Sequence, residues 1–357
     1  MLKIGIIGCG GIATQKHMPA LQSLDNVEMV AFCDVIAEKA EEAKATFGTE
    51  QAKTYTDYKE LLCDPTIDVV HVCTPNKSHS FITIDSLESG KHVMCEKPMA
   101  KTTEEARAMV EAAKRTGKKL TIGYQNRFRP DSQYLKTVCE QDELGEVYFA
   151  KAHAIRRRAV PTWGVFLNEE EQGGGPLIDI GTHALDLTLW TMNNYSPKYV
   201  VGNIYHKLAD TEKAANAFGS WNPDEFKVED SAFGMITMSN GATIFLESSW
   251  ALNMLDEKEA KTTLCGTKGG ADMNDGLTIN GEAYSKLYNK KIQLGSEGVA
   301  FFDGAEEDPA EIEAKQWIDA IIDDTEPLVK PEEALVVTQI LEAIYESAKT
   351  GKPVYFD

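Results

Sequence analysis

Apolar residues follow two rhythms along this chain, and the change of rhythm divides it. Up to about Gly123, short apolar runs alternate with stretches of helical spacing. Residues 2–7, 27–33, 68–73, 91–95 and 119–123 read as strands covered on both faces, since a parallel strand buried between helix layers is apolar throughout and does not alternate. Helices are predicted near 78–89 and 102–116. Together these give a doubly wound parallel sheet of Rossmann type, which takes ligands at the carboxyl ends of its strands. Beyond Arg129-Pro130 a helix at 131–141 leads into runs of alternation or β-branched enrichment at 147–155, 199–205, 231–238 and 242–250. These predict a mostly antiparallel sheet with a helix at 181–194 on one face. Asn240-Gly241 joins the last two strands as a hairpin, with positive φ expected at both central positions. Residues 207–224 read as a solvated loop. Helices at 309–323 and 331–350 carry Trp317, Ile318, Ile321, Leu335, Ile340, Leu341 and Ile344 at core spacing. The fold class is therefore α/β, with a doubly wound domain over 1–124 and an α+β domain over 125–357.

The first strand runs straight into Gly8-Cys9-Gly10-Gly11-Ile12-Ala13, a G-x-G-x-x-A sequence opening a helix. Gly8 permits the tight turn, and Gly10 leaves bare backbone where a pyrophosphate can approach. Gly11 and Ile12 begin the helix, whose free N–H groups and dipole favour an anion, and Ala13 lets helix and strand pack closely. The second strand ends in Asp34, an acid able to accept both ribose hydroxyls of an adenosine. Its charge repels a 2′-phosphate and no arginine follows it nearby, so NAD is expected over NADP.

Two further clusters fall where chemistry is expected. Lys97 leaves the 91–95 strand at the ligand edge of the sheet, between Glu96 and Pro98, although such a triplet is often an ordinary charged turn. Gly173-Gly174-Gly175 runs into a helix start holding Asp179 and His183, four residues apart and able to share a face. The pair reads equally well as an N-terminal cap and a core histidine. No third and fourth ligand stands at a recognisable metal spacing, so no metal is expected. Trp163 offers an apolar face to a sugar ring and Arg157 offers hydrogen bonds to hydroxyls. Arg156 and Arg158 read as a solvated face.

A net charge of −20 argues against nucleic acid and anionic membranes as partners. Seven cysteines without a C-x-x-C, several inside apolar runs, fit a reducing compartment and a cytoplasmic location. The first strand begins at Leu2, so no leader is expected, and no apolar stretch has the length of a membrane span.

The ordered set of motifs resembles a known family. G-x-G-x-x-A, Thr74-Pro75-Asn76-x-x-His79, Glu96-Lys97-Pro98, Gly123-Tyr124-Gln125-Asn126-Arg127-Phe128 and Asp179-x-Gly181-x-His183-x-x-Asp186 are similar to those of the glucose–fructose oxidoreductase and inositol 2-dehydrogenase family (Gfo/Idh/MocA), across essentially the whole chain. The resemblance implies an NAD-binding domain over 1–124 and a substrate-binding, self-associating domain over 125–357. It implies a catalytic trio of Lys97, Asp179 and His183, with Thr74, Asn76, His79 and Glu96 on the cofactor and Arg127 on the substrate. A cis Lys97-Pro98 bond is implied too. The expected reaction moves a hydride between the nicotinamide and a secondary alcohol or ketone of a sugar, polyol or cyclitol, in a homodimer or homotetramer. A redox-neutral glycosidase using NAD transiently and a non-catalytic dinucleotide sensor remain the alternatives.

Overall fold

A computed structural model describes residues 1–294 and 308–356. The chain forms two compact units. The first comprises Met1–Gln125 with Glu307–Leu335, and the second Asn126–Glu306 with Val336–Asp357.

The first unit is built on six parallel strands: β1 (Leu2–Ile7), β2 (Val27–Cys33), β3 (Lys53–Tyr55), β4 (Val69–Val72), β5 (His92–Cys95) and β6 (Leu120–Ile122). Their spatial order is β3-β2-β1-β4-β5-β6, so the chain reverses direction between β1 and β4, the topological switch point where such sheets bind ligands. Strand ends are level there, with Ile7 beside Val72 and Val72 beside Cys95. The residues that follow each strand, Gly8, Thr74 and Lys97, therefore emerge along one edge.

Helix Pro309–Ile322 also belongs to this unit. It starts at Asp308, whose Oδ1 accepts the Ala310 N–H at 2.9 Å, and it inserts Ala314, Trp317 and Ile318 into the core of Ile4, Ile6, Phe32 and Met94. A second domain running unbroken to the C-terminus is thus not what the compact units display: residues up to Leu335 return to the first unit, and the rest of helix Pro331–Thr350 lies in the second.

The second unit holds a nine-stranded sheet of β7 (Val147–Ile155), β8 (Pro197–Tyr205), β9 (Ser231–Met238), β10 (Thr243–Ser249), β11 (Lys258–Gly266), β12 (Gly269–Asp272), β13 (Thr278–Ala283), β14 (Lys286–Lys291) and β15 (Val354–Tyr355). Pairing is antiparallel except between β7 and β10. The hairpin between β9 and β10 forms as expected, but only Gly241 takes a positive φ, at 90°. Asn240 instead accepts the Ala242 N–H on its side chain, 3.1 Å away, and one left-handed residue suffices for a turn with a bulge. Residues 207–224 are irregular but not wholly solvated. Trp221 is buried among Phe226 and Ala209, donating its indole N–H to the Ala209 carbonyl at 2.8 Å.

Among the described residues no helix is long and apolar enough to cross a membrane, and no group of three or more His, Cys, Asp or Glu is placed to hold a metal ion. Cys9, Cys33, Cys73 and Cys95 are buried free thiols.

Candidate active site

The glycine-rich turn has the shape its sequence requires. Gly8 sits at φ 91°, and a Cβ there would meet the Cys73 carbonyl oxygen at 2.6 Å, so only glycine lets β1 turn beside β4. At Gly10 a Cβ would meet nothing within 4 Å. The backbone there faces open space, as a phosphate cradle must. Asp34, half-buried at the end of β2, accepts the Cys9 N–H on Oδ2 and the Ile36 N–H on Oδ1, both at 2.9 Å. It therefore fixes the glycine turn as well as presenting its carboxylate beside it. Gly8, Gly10, Gly11, Ile12 and Asp34 suit the phosphates and ribose of a dinucleotide.

Lys97 follows β5, and its peptide bond to Pro98 is cis. The backbone beneath it is held by two buried side chains. Glu96, 4% exposed, accepts the Lys97 N–H on Oε2 at 3.0 Å, while its Oε1 accepts from Lys16 Nζ at 2.9 Å and His17 Nε2 at 2.8 Å. Lys16 also reaches Glu313 at 2.8 Å. Burial alone would push the Glu96 carboxyl up, but Lys16 and His17 hold it well below the usual carboxylate range. Burial opposes the Lys16 charge as well, and Glu313 and Glu96 outweigh that and raise its pKa. His71, 3.1 Å from His17, is pushed well below its ordinary value by burial and by the neighbouring His17 and Lys16 charges. Both Lys16 and His17 come from a short π-helical turn, Ala13–His17, directly after the glycine motif. Such turns re-aim side chains within a helix and recur at functional positions.

His79 is the second strut. Its Nδ1 lies 2.8 Å from the Pro98 carbonyl and its Nε2 2.8 Å from the Thr74 carbonyl, and it is buried. His79 and Glu96, expected on the cofactor, brace the Thr74 and Lys97 loops from behind. Thr74, half-buried, and Asn76 stay with those loops at the strand edge.

In the second unit Asp179 lies in another π-helical turn, Leu177–Gly181, continued by helix Thr182–Met192, which carries His183 on its first turn. Both side chains are half-buried. Asp179 does not cap the helix: its Oδ2 accepts the indole N–H of fully buried Trp250 at 3.0 Å. The arrangement answers the capping alternative for Asp179 and leaves a fixed carboxylate one helical turn from an imidazole. Trp250 just beyond β10 was not singled out by the sequence, where it reads as one more strand-end aromatic.

The triple glycine has a steric purpose. A Cβ on Gly174 would lie 2.0 Å from the Tyr345 hydroxyl, and one on Gly175 2.2 Å from the Glu229 carbonyl oxygen. Glu229, 6% exposed, accepts the Gly175 N–H on Oε2 at 2.8 Å, and the Leu177 N–H and Tyr345 hydroxyl on Oε1 at 3.1 and 2.9 Å. Burial pushes its pKa up to about 7 despite those three donors.

Arg127, expected on the substrate, is engaged within its own unit. It is fully buried, donates from Nε and Nη2 to both Asp186 oxygens at 3.0 and 2.6 Å, and lies over the Trp190 ring. A bidentate buried pair of this kind holds helix to loop. Arg157 is exposed. Arg156 is paired with Glu259 on both oxygens, more engaged than a solvated face implies. Trp163 is 52% exposed, edge-on to Phe218 at 4.8 Å and Phe166 at 5.7 Å, and Phe166 in turn meets Trp250 at 6.5 Å. An aromatic chain thus links exposed Trp163 to the partner of Asp179.

An open phosphate cradle on a doubly wound sheet, with a second α/β unit holding an Asp–His turn, defines a two-domain dinucleotide-dependent oxidoreductase. The family profile described as "Oxidoreductase family, NAD-binding Rossmann fold" matches residues 2–124, and "Oxidoreductase family, C-terminal alpha/beta domain" matches 136–356; the chain belongs to this Gfo/Idh/MocA family. It is 36% identical over 355 residues to D-glucoside 3-dehydrogenase of Escherichia coli K12, covering 99% of this chain and 97% of that protein. It is 28% identical over 193 residues to inositol 2-dehydrogenase of Salmonella typhimurium, covering 54% and 55%. Levoglucosan dehydrogenase in complex with NADH shares the fold, with a TM-score of 0.83 at 22% identity over 100% of this chain and 99% of that one. The protein is an oxidoreductase of the class whose relatives are named for dehydrogenation of sugar hydroxyls.

Proposed function

We propose that the protein oxidises a ring secondary alcohol of a sugar or glucoside with NAD, and reduces the matching ketone in the reverse direction. The observation that carries this reading is the Asp179–His183 turn, locked by Trp250, in a chain similar over its full length to D-glucoside 3-dehydrogenase. That relative makes the C3 hydroxyl of a glucoside the first position to test.

Gly8, Gly10, Gly11 and Ile12 would hold the pyrophosphate, Asp34 the adenosine ribose, and Thr74 and Asn76 the nicotinamide end. When bound there, NAD supplies the hydride acceptor. His183 takes the hydroxyl proton, the Lys97 ammonium steadies the developing alkoxide, and Asp179 keeps the imidazole and substrate in register. Trp163 and Arg157 would meet the sugar. Asp34 favours NAD over NADP, and the enzyme would work in the cytoplasm as a homodimer or homotetramer.

The test is absorbance of reduced nicotinamide while the protein is screened against glucosides, free sugars and cyclitols. Net NADH supports the reading. Product sugar without net NADH means a redox-neutral glycosidase, and neither signal means a sensor.

A further inference from the structure

We propose that Glu229 is a positioning residue for the proposed chemistry: its carboxylate, anchored by Tyr345, holds the backbone of the turn that carries Asp179 and His183. The idea rests on the dehydrogenase reading for its kinetic consequence, and on geometry alone for its structural one.

A helix that begins with a π turn leaves its first N–H groups without intrahelical partners. Here two of them, on Gly175 and Leu177, donate to the two oxygens of one buried carboxylate. No residue of the turn supplies that cap. It comes from Glu229, just ahead of β9, fifty-four positions beyond Gly175, and the Tyr345 hydroxyl from helix Pro331–Thr350 fixes the carboxylate in place. Gly174 and Gly175 are the residues that let the backbone come this close, so the glycines, the carboxylate and the tyrosine form one fitted unit. Burying a carboxylate is costly, and burial has already moved this one to about 7. An apolar residue would fill the space without that cost but would leave both N–H groups buried and unpaired. A displacement of the turn by an ångström takes the imidazole out of line with the hydroxyl it must deprotonate, which penalises turnover more than binding.

The test compares wild type, Glu229→Gln and Tyr345→Phe as full chains at a temperature where each remains folded by circular dichroism. Glutamine keeps the shape but points its NH₂ group at one of the two backbone donors. Three quantities are measured: hydrogen exchange of amides 175–183, NAD affinity by calorimetry, and kcat and KM for a sugar that the wild type oxidises. Glu229→Gln is expected to exchange faster over 175–183 and not in the first unit, to lose about 10- to 100-fold in kcat, and to keep sugar KM and NAD affinity within about twofold. Tyr345→Phe is expected to move in the same direction by about threefold or more. Unchanged exchange in Glu229→Gln overturns the proposal, as does faster exchange with unchanged kcat. Equal loss of NAD affinity overturns it too, because that marks general loosening. If Glu229→Gln does not fold, Tyr345→Phe decides on the same outcomes. If the wild type oxidises no sugar, the dehydrogenase reading falls, and the exchange data still decide whether Glu229 holds the turn.

Discussion

Lys16 and Glu96 are joined by a 2.9 Å ion pair across eighty positions of sequence, linking the first helix after the glycine turn to the residue before Lys97. Glu313 completes the pair from helix Pro309–Ile322, so the Lys16 ammonium is buried between two carboxylates. Lys16→Met leaves one of them without its cation. The expected cost is about 3–5 kcal/mol of unfolding free energy, measured by urea denaturation. A loss under about 1 kcal/mol would mean that the remaining partners absorb the charge, and the network would not be what ties helix to loop.

Asp34 holds the Cys9 and Ile36 N–H groups in the structure and is proposed to disfavour a 2′-phosphate, and a variant can separate the two roles. Asp34→Ala removes both the charge facing a 2′-phosphate and the acceptor for the Cys9 N–H. Asp34→Asn keeps an acceptor for that N–H and removes only the charge. Calorimetry is therefore expected to find the NAD/NADP gap narrowed by about tenfold in both, with NAD affinity reduced more in Asp34→Ala. Equal binding of NAD and NADP by the wild type would refute the role given to this residue.

Lys97→Met and His183→Ala remove the groups proposed to stabilise the alkoxide and to accept the proton. Each is expected to lower kcat by roughly 10²–10⁴-fold with NAD binding largely intact. Because both serve one transition state, the double variant should lose less than the product of the two. Turnover near wild type in either single variant, with a confirmed substrate at saturating NAD, removes that residue from the mechanism.

Glu229 makes stability depend on pH. Its pKa is raised from 4.5 to about 7 on folding, so the native state holds a proton that the unfolded chain releases. The associated stability is fully present below about 4.5 and is lost as pH rises through about 7, amounting to about 1–3 kcal/mol. Urea denaturation at pH 5 and 7.5 should show this fall in wild type, and the fall should be smaller in Glu229→Gln. An identical pH dependence in both proteins would mean that Glu229 titrates normally.

Local patterns made the nucleotide unit legible. A strand, a glycine turn, a helix and an acid occupy thirty-four consecutive positions, and each step is encoded by its neighbours. The hairpin at Asn240-Gly241 was readable for the same reason. The burial and internal partners of Arg127, His79 and Glu96 were not readable, because a motif records which residue stands where, while burial depends on what packs over it. Glu229 and Trp250 escaped notice because their partners lie fifty-four and seventy-one positions away. The one available hint was an acidic pair, Glu229-Asp230, directly ahead of a buried strand, where solvated charges are out of place. Helix Pro309–Ile322 was visible as amphipathic, but an apolar stripe announces only that a partner exists. It does not say which unit supplies it.

The return of that helix sets an order on synthesis. When Gln125 leaves the ribosome, the six-stranded sheet has all its strands but neither Trp317 for its core nor Glu313 for Lys16. About 210 further residues must be added before residue 335 closes the unit, roughly ten to forty seconds at ordinary translation rates. During that interval the nascent chain lacks the apolar cover that Trp317 and Ile318 give to Ile4, Ile6 and Phe32, and Lys16 has Glu96 but not Glu313. A gene cut after the nucleotide motif would leave the product in that state permanently, which argues against exchanging this unit between proteins at its first boundary.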